Sequence, residues 1–519
     1  MALFTREQKA FAVAASNVGY CNPFLPERIE YERQALGSDF READAHWNVR
    51  VESEGVPPNV QRLILRTARL VEQCRATLAG GGKPAAGELD LYEDMVLLLL
   101  FHRYIPQFDR TLQSVAQEPK RQRIAFYRDF ERDIDHFLGP ARQPESREPP
   151  AHLFACFFQL RRAFHHIFRY IIGASEPAVQ LRAAVWQSIF THDMRRYRRT
   201  LFARMGDIAT LVAGPSGTGK ELVARAIGLS RYIPFDARSL AFGEEYAESF
   251  HPINLSALSP TLIESELFGH KRGAFTGAIQ DRAGWLEVCE PLGTVFLDEI
   301  AEIDTSIQVK LLRVLESREF QRLGDTQTRL FRGKVIAATN RNMAEEMRAG
   351  RFRADLYYRL CSDMIQTPSL HQQIAASPEE LGRLILFIVR RIAGEQEAPR
   401  IAREVEDWVR TNLGLDYPWP GNVRELEQCV RNVMIRKAYQ PPQFARTGET
   451  ESLVAAIEAG QLTAEQLLQR YCALVYAKTG SLQKTARRLG LDRRTVKSKI
   501  DAASSPQPRH SAMEDGHAR

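Results

Sequence analysis

Residues 211–221 read LVAGPSGTGKE, an apolar run that leads into a glycine-rich loop. Gly214, Gly217, Gly219 and Lys220 have the spacing of a P-loop, in which backbone N–H groups surround phosphate oxygens and the lysine reaches the β- and γ-phosphates. An ordinary strand, turn and helix is the alternative. Because the loop follows a strand-like run and precedes a helical one, as a P-loop requires, we predict a nucleotide-binding α/β core.

One residue departs from this motif, because P-loops usually place Ser or Thr after the lysine as a ligand of Mg²⁺ and this chain has Glu221. A hydroxyl ligand for the metal is therefore missing at that position. The loop residues predicted to bind the nucleotide are Gly214, Pro215, Ser216, Gly217, Thr218, Gly219, Lys220 and Glu221.

A second motif, GTVFLDEI at 293–300, predicts a buried strand that ends in two acids. Asp298 is predicted to hold Mg²⁺, directly or through water, and Glu299 to orient and polarise the attacking water. For the motif alone, an acidic pair that caps the next helix is an equal alternative. Its position downstream of a P-loop favours catalysis.

Asn340 and a pair of arginines are weaker signals. KVIAATN (334–340) predicts a strand that presents the Asn340 amide near the γ-phosphate, although many strands end in this way. RFRADLYYRL (351–360) contains Arg353 and Arg359, whose spacing places them on different faces of a helix. They are either solvated arginines or arginine fingers that act on a neighbouring subunit, worth about 10³–10⁵ in rate.

The composition is that of an ordinary globular protein. Of 519 residues, 44% are hydrophobic and 26% are charged, and a net charge of +6 is too small to indicate nucleic-acid binding by itself. The seven cysteines form no CxxC pair, which argues against a disulfide framework and a zinc site. The N-terminus lacks a signal-peptide pattern, and no apolar run approaches the roughly 20 residues that cross a bilayer. We expect a cytoplasmic protein without a membrane partner.

The pattern of the chain changes twice along its length. Residues 1 to about 180 carry apolar residues at helical spacing, as in HLFACFFQLRRAFHHIFRYIIG (152–173). From about 200, short β-like runs alternate with helical segments, which indicates a parallel sheet covered on both faces. Helical patterns return after about 370, and YQPPQFARTGETE (439–451) is typical of a linker.

SLQKTARRLGLDRRTVKSKI (481–500) predicts a helix-turn-helix, with helices at 482–489 and 493–500 on either side of Gly490. Val496 is expected to face inward. The residues predicted to contact DNA are Arg493, Arg494, Thr495, Lys497, Ser498 and Lys499. From these residues alone, a helical hairpin with a solvated basic face is an equally good interpretation.

GAFTGA (273–278) is unusual because it places Phe275 and Thr276 between glycines and alanines that favour a flexible turn. It belongs to a set of motifs that occur in order over roughly 200–435: GPSGTGKELVARAI, ESELFGHKRGAFTGA, GTVFLDEI, KLLRVLE, ATN, FRADLYYRL and PWPGNVRELEQCV. By these motifs the chain resembles the AAA+ ATPase domain of bacterial sigma-54-dependent activators. Glu at the position of Glu221 is common there. The C-terminal block resembles the Fis-type DNA-binding domain that usually ends such activators.

The resemblance implies a role for each matching residue of the nucleotide site. Lys220 would bind phosphates, Asp298 would serve Mg²⁺, and Glu299 would activate water. Asn254, in PINLSALS, matches an asparagine that restrains the catalytic glutamate until the ring is engaged. Arg424, in GNVREL, matches a lid arginine that senses the nucleotide state.

The resemblance also implies an assembly and a target. Arg353 and Arg359 match arginines that act in trans within ring oligomers, usually hexamers. ATP hydrolysis in such rings drives the GAFTGA loops to remodel the closed complex of sigma-54 RNA polymerase. The residues that match the sigma-54 contact are Gly273, Ala274, Phe275, Thr276, Gly277 and Ala278.

Two segments depart from the pattern of that family. ARSLAFGEEYAESFH (237–251) stands where the family has only a few residues, and we expect a surface insertion. TPSLHQQIAASPEEL (367–381) lacks the charged residues that the family has before the lid.

The N-terminal region has no receiver-like pattern. His165 and His166 are expected to be structural, and the surrounding aromatic residues are expected to form a core rather than a ligand pocket.

The fold class we predict is an α/β AAA+ P-loop ATPase core with a helical lid, an all-α N-terminal domain and an all-α C-terminal helix-turn-helix domain. The predicted divisions are 1–180 for the N-terminal regulatory domain, 181–370 for the ATPase subdomain, 371–440 for the lid, 441–451 for a linker, 452–505 for the DNA-binding domain and 506–519 for a disordered tail.

The predicted function is activation of transcription from upstream double-stranded DNA, with ATP hydrolysis used to convert closed complexes of sigma-54 RNA polymerase into open ones. We expect ATP and Mg²⁺ as cofactors and self-association into dimers and hexameric rings. Two alternatives are an AAA+ remodeller of another protein and a DNA-binding regulator that does not hydrolyse ATP.

Overall fold

The computed structural model describes residues 2–45, 56–82, 84–117, 123–141, 148–243, 250–441, 453–454, 456–457 and 460–503. The chain divides into two compact units, Met1–Met434 and Ile435–Arg519. The predicted tail and most of the predicted linker lie outside the described residues. The predicted domain boundaries stay predictions.

A five-stranded parallel sheet forms the centre of the first unit, in the order β11-β1-β10-β7-β4. Its strands are β1 (Thr210–Ala213), β4 (Phe250–Asn254), β7 (Thr294–Asp298), β10 (Lys334–Thr339) and β11 (Asp363–Gln366). Three two-stranded sheets accompany it: β2 (Phe235–Asp236) with β3 (Ala241–Phe242), β5 (Gly269–His270) with β6 (Arg282–Ala283), and β8 (Glu319–Phe320) with β9 (Arg329–Leu330).

Most of the remaining described residues of the first unit are helical. Its helices are α1 (Arg6–Tyr20), α2 (Glu27–Leu36), α3 (Pro58–Ala79), α4 (Glu88–Gln117), α5 (Tyr127–Leu138), α6 (Pro150–Tyr170), α7 (Glu176–Phe190), α8 (Met194–Arg196), α9 (Lys220–Gly228), α10 (Pro260–Phe268), α11 (Trp285–Val288), α12 (Thr305–Ser317), α13 (Met343–Arg348), α14 (Ala354–Leu360), α15 (Leu370–Ala376), α16 (Glu379–Asn412) and α17 (Asn422–Arg436). Gly394 interrupts α16 with non-helical backbone.

Alternating strand residues explain why both faces of the sheet are covered. Val212 and Ile336 pack into a core shared with α6, α7 and α9, whereas Leu211 and Val335 pack into a core shared with α10, α12 and α14. Successive side chains of a strand point to opposite faces, so strands buried on both faces are continuously apolar. The parallel α/β core predicted from the sequence is confirmed.

The predicted surface insertion is partly buried, which corrects that expectation. Its residues Leu240 and Phe242 are 4% and 3% exposed, and they belong to the core of the N-terminal helices. The ring of Phe242 stacks on Phe158 of α6 at 4.1 Å between centroids. The backbone N–H of Ile124 donates to the carbonyl oxygen of Leu240 at 2.7 Å. The hairpin β2–β3 therefore joins the α/β core to the N-terminal helices.

The second unit contains α18 (Ala464–Thr479), α19 (Leu482–Leu489) and α20 (Arg493–Ala503). Gly490 ends α19 with φ 66°, a left-handed conformation that favours glycine. Val496 is fully buried, as its inward position predicts. Helices α19 and α20 thus lie where the sequence places them, and α20 extends a few residues further than predicted.

Candidate functional site

The P-loop connects β1 to α9 at the carboxyl edge of the parallel sheet. Gly214, Gly217 and Gly219 have φ values of 149°, 78° and 86°, which favour glycine. Gly217 is also constrained by packing, because a Cβ there would lie 2.3 Å from the carbonyl oxygen of Gly421. The backbone itself therefore requires the glycines that the motif spacing identifies.

Lys220 begins α9 and is 7% exposed. Its Nζ donates to the carbonyl oxygens of Gly214 and Pro215 at 3.1 and 3.4 Å, and it lies 4.0 Å from Glu299 Oε1. Burial lowers the pKa of Lys220, while the carboxylates of Glu299 and Asp298 oppose that shift. Phosphate oxygens at this position would stabilise the ammonium more than neutral carbonyls do.

The two acids lie where β7 ends, beside the P-loop. Asp298 is the last residue of β7, and Glu299 follows with φ 55° and ψ 52°, a left-handed backbone. The N–H of Asn340, at the end of β10, donates to Glu299 Oε2 at 3.3 Å. Burial raises the pKa of Asp298, and this carboxylate forms no salt bridge with another described residue. The charge of Lys220 and the Glu299 N–H, which donates to Asp298 Oδ1 at 3.1 Å, oppose this shift. A divalent cation fits such a buried carboxylate.

Asn254 is placed near the acids, but its side chain has a different partner from the one that the resemblance implies. It pairs in register with Asp298 across β4 and β7. Its Oδ1 accepts from the N–H and the hydroxyl of Ser256 at 3.1 and 2.8 Å. Within the described chain no hydrogen bond joins Asn254 to Glu299. The carboxylate would have to accept from the Asn254 amide N–H, and the contacts with Ser256 fix the orientation of this amide through its oxygen.

Helix α17 of the lid begins against the P-loop. Asn422 Nδ2 donates to the Ser216 carbonyl oxygen at 2.9 Å, and Val423 N–H donates to that of Gly217 at 3.1 Å. Arg424 Nη1 lies 3.4 Å from Ser216 Oγ and lines the same pocket. The arginine predicted from the lid motif is therefore beside the phosphate loop.

These groups surround a pocket of about 310 Å³, part of which the sequence did not indicate. Tyr170, Ile171 and Ile172, which follow the body of α6, line one wall, and Phe387 and Arg391 of α16 line another. The local sequence signal for this wall is the apolar pair Ile171 and Ile172 before Gly173, a pattern that is common in buried connections. Their role depends on how distant segments pack, and one sequence does not show that.

Arg353 and Arg359 do not line the nucleotide pocket of their own chain, as far as the described residues define it. Arg353 Nη2 pairs with Asp355 Oδ2 at 2.6 Å, and Arg359 Nε lies 3.3 Å from Glu316 Oε1. Both arginines are exposed. Both side chains are therefore accessible to another molecule.

The GAFTGA segment forms a turn between β5 and β6. A backbone hydrogen bond of 2.9 Å from Gly273 to Ala278 closes it. The ring of Phe275 is half-buried and meets His270 edge-on at 5.0 Å between centroids, whereas Thr276 is exposed. The turn therefore presents a hydroxyl to solvent and holds the aromatic ring against its own base.

The surface of α20 is basic. Its residue Val496 is buried, as described above, and Thr495 is half-buried. Lys499 Nζ lies 2.6 Å from Glu465 Oε1 of α18, so this predicted DNA contact has an intramolecular partner. The predicted contacts that are exposed are Arg493, Arg494, Lys497 and Ser498.

No described helix is long and apolar enough to cross a membrane.

Comparison with known proteins identifies the central part of the chain. The family model described as Sigma-54 interaction domain matches residues 190–366. A Nif-specific regulatory protein of Klebsiella pneumoniae is 44% identical over 224 residues, which are 43% of this chain and 39% of that protein. One of Enterobacter agglomerans is 38% identical over 308 residues, 57% of this chain and 55% of that protein.

Two further similarities extend the comparison. The transcriptional regulatory protein ZraR of Klebsiella oxytoca is 38% identical over 303 residues, 57% of this chain and 63% of that protein. The structure of NtrX from Brucella abortus in complex with ATP is 22% identical, with 72% of this chain and 80% of that one covered and a TM-score of 0.39. The chain spans about half the length of the curated relatives it matches. The similarity to these proteins is centred on residues 190–366, which match the Sigma-54 interaction domain model.

Proposed function

We propose that this protein is an ATP-dependent transcription activator that remodels sigma-54 RNA polymerase from upstream DNA. The observation that carries the proposal is the combination, in one matched domain, of a phosphate site with the GAFTGA turn. The phosphate site supplies energy from hydrolysis, and the exposed Thr276 supplies a surface for the target. The same combination favours this function over remodelling of an unrelated protein.

Nucleotide binding would follow from the groups that already converge on the pocket. The P-loop N–H groups and the start of α9 receive the phosphates, and Lys220 exchanges its contacts with carbonyl oxygens for phosphate oxygens. The apolar wall of Tyr170, Ile171 and Ile172 suits a flat aromatic base. Arg424 stands beside Ser216, where it would report the nucleotide to the lid.

Asp298 is the residue that would hold Mg²⁺, together with phosphate oxygens and water, because Glu221 instead pairs with Arg225 at 2.8 Å. The metal would neutralise charge on the phosphates. Glu299 then orients a water, and the Asn340 N–H holds its carboxylate at the edge of the site.

The C-terminal unit would hold the protein on DNA. Exposed Arg493, Arg494 and Lys497 lie on one short helix, and long cations there contact phosphates or pair with guanine. Affinity for DNA should fall steeply as salt rises, because such contacts release counterions. Deletion of residues 452–519 should abolish binding in a gel-shift titration.

Glu299→Gln is the first test of the hydrolytic site. Because the change keeps the shape of the side chain and removes its charge, we expect normal ATP affinity and loss of hydrolysis by at least about 100-fold, the range of general-base effects. Calorimetric ATP binding and phosphate release measure the two properties. Glu302→Gln, one turn away in a surface pair with Arg341, is the matched control and should remain active.

Hydrolysis by Glu299→Gln at the normal rate would contradict the assigned role. The alternatives are separated by two further measurements. Absence of phosphate release from the unmodified protein would favour a regulator that does not hydrolyse ATP. Hydrolysis without retention of purified sigma-54, in the presence of an ATP transition-state mimic, would favour remodelling of another protein.

A further inference from the structure

A second cavity, of about 160 Å³, lies among the N-terminal helices and shares no described lining residue with the nucleotide pocket. Its walls are largely apolar and include Phe101, Phe157, Phe164 and Trp186. An engineered apolar cavity of about 150 Å³ is large enough to bind benzene. At the usual interior packing density of about 0.74, this cavity would hold a molecule of about 120 Å³, which is one or two fused rings.

The charged groups of the cavity are already paired within the described chain. The three ion pairs are Arg28–Glu32 at 3.0 Å, Asp94–Arg195 at 2.6 Å and Arg198–Glu148 at 2.7 Å. A charged ligand would have to break such a pair or bring an uncompensated charge into an apolar space. The cavity therefore favours a neutral ligand.

His102 gives the cavity one directional polar contact. Its Nδ1 donates to the carbonyl oxygen of Leu98 at 2.9 Å, so the neutral ring presents Nε2 as an acceptor. Burial lowers the pKa of His102 to about 4, so the ring is neutral at physiological pH. Among the described residues, none donates a hydrogen bond to Nε2. A ligand with one N–H or O–H group would satisfy it.

We propose that this cavity binds a small neutral molecule of one or two fused rings that carries one hydrogen-bond donor, and that α7 couples its occupancy to the nucleotide site. The coupling rests on the proposed function, because it requires that the larger pocket binds ATP. The binding of the small molecule to the cavity does not depend on the proposed function. Two of the aromatic residues of this cavity, Phe157 and Phe164, were expected from the sequence to form a core rather than a ligand pocket.

Helix α7 provides the physical connection. Trp186 and Phe190 near its C-terminal end line the cavity, and Ala178 and Leu181 near its N-terminal end line the nucleotide pocket. The N-terminal end is held by the fully buried Glu380 of the lid, whose carboxylate accepts backbone hydrogen bonds of 2.8 to 3.1 Å from residues 174 and 175. A ligand that shifts one end of this rigid helix also biases the lid at the other.

Indole and benzofuran test the binding site, because they have nearly the same shape and only indole has an N–H donor. In calorimetric titrations of the full chain, we expect indole to bind about 5-fold or more tightly than benzofuran, the effect of one hydrogen bond. His102→Leu should remove this preference. Equal affinity for the two probes, or no binding of indole, would overturn the proposal.

Gly19 is an exposed residue of the cavity lining, so a large side chain there would narrow the opening of the cavity with little strain. It lies in α1 with ordinary φ, and a Cβ there would meet Leu98 Cδ1 at 3.6 Å, a normal contact. Gly19→Leu should therefore fold and lose indole binding, whereas Gly19→Ala should fold and keep it. Indole binding by the leucine variant with unchanged affinity would place the ligand elsewhere.

The coupling is tested by the affinity for a non-hydrolysable ATP analogue with and without saturating indole. We expect a change of about 5-fold or more, with the reciprocal change in indole affinity that linkage demands. Unchanged affinity for the analogue, while indole binds, would refute the coupling. Failure to bind the analogue under any condition would instead refute the proposed function and leave the indole titration as the test of the cavity.

Discussion

At the scale of single residues, the chemistry of the P-loop site follows from burial. Lys220 and Asp298 are both withdrawn from water, and burial shifts the pKa of each towards its neutral form. A polyphosphate with a divalent cation would compensate both groups at once. The site therefore suits a ligand that carries groups of both charges.

Lys334 allows a prediction about pH. It begins β10, is 2% exposed, and donates to the Ile208 carbonyl oxygen at 2.6 Å. Burial lowers its pKa to about 7, whereas an unfolded lysine has a pKa of about 10.4. The unfolded chain thus binds more protons between about pH 7 and 10, and its free energy of unfolding should rise with pH there, by up to about 1.4 kcal/mol per unit.

Lys334→Met should remove this contribution, since methionine does not titrate. Urea unfolding at pH 7, 8 and 9 measures the slope for both proteins. Lys310→Met is the control, because Lys310 is half-exposed in a surface pair with Glu264 and should leave the slope unchanged. The same slope in the protein and in Lys334→Met would show that Lys334 remains charged when folded.

At the scale of elements, the spacing of the motifs correctly predicted several strands and helices. The strand that leads into the P-loop, the strand that ends in Asp298 and the two helices around Gly490 lie where the sequence indicates. These elements have local signals: apolar runs, glycines at positive φ and periodic small residues. The parallel α/β core could be predicted from them without any tertiary information.

The remaining features depend on contacts between distant segments, and local patterns do not encode these. The hairpin β2–β3 reads as an exposed loop, yet Phe242 enters a core formed by helices more than 80 residues earlier in the chain. Ile171 likewise lines a pocket whose other lining residues extend along the sequence as far as Glu427. The expected contact between Asn254 and Glu299 is also not formed, because Ser256 orients the Asn254 amide through its oxygen.

Phe242→Ala measures how firmly the hairpin is joined to the N-terminal helices. Truncation of a buried aromatic side chain costs about 3–5 kcal/mol, and we expect a loss of that size in urea unfolding. Leu330→Ala is the control, because Leu330 lies on the hairpin β8–β9 and is 59% exposed. A loss below about 1 kcal/mol for Phe242→Ala would mean that this hairpin is not part of the core.

At the scale of the whole molecule, the expected ring of subunits would complete each active site with arginines from a neighbouring subunit. Arg353 and Arg359 are exposed and lie outside the nucleotide pocket of their own chain. Arginines that stabilise phosphoryl transfer in trans must leave their own site and face another. The exposed positions of these two arginines therefore support the expected ring.

Mixed assemblies of two inactive variants test this arrangement. Arg353→Ala lacks the arginine and Glu299→Gln lacks the catalytic acid, so each alone should hydrolyse ATP at least about 100-fold more slowly. In a mixture, an intact Glu299 in one subunit meets an intact Arg353 from its neighbour, and phosphate release should recover in part. No recovery at any mixing ratio, with co-assembly verified by sedimentation, would contradict action in trans.

The most direct measurement of the central claim is ATP-dependent formation of open complexes by sigma-54 RNA polymerase on a promoter with an upstream binding site. Permanganate reactivity of unpaired thymines detects the melted region. We predict melting with the unmodified protein and ATP, and loss of melting with Thr276→Ala, whose phosphate release stays near normal because the exposed hydroxyl lies outside the nucleotide pocket. Robust ATP hydrolysis by the unmodified protein without melting of any such promoter would contradict the account.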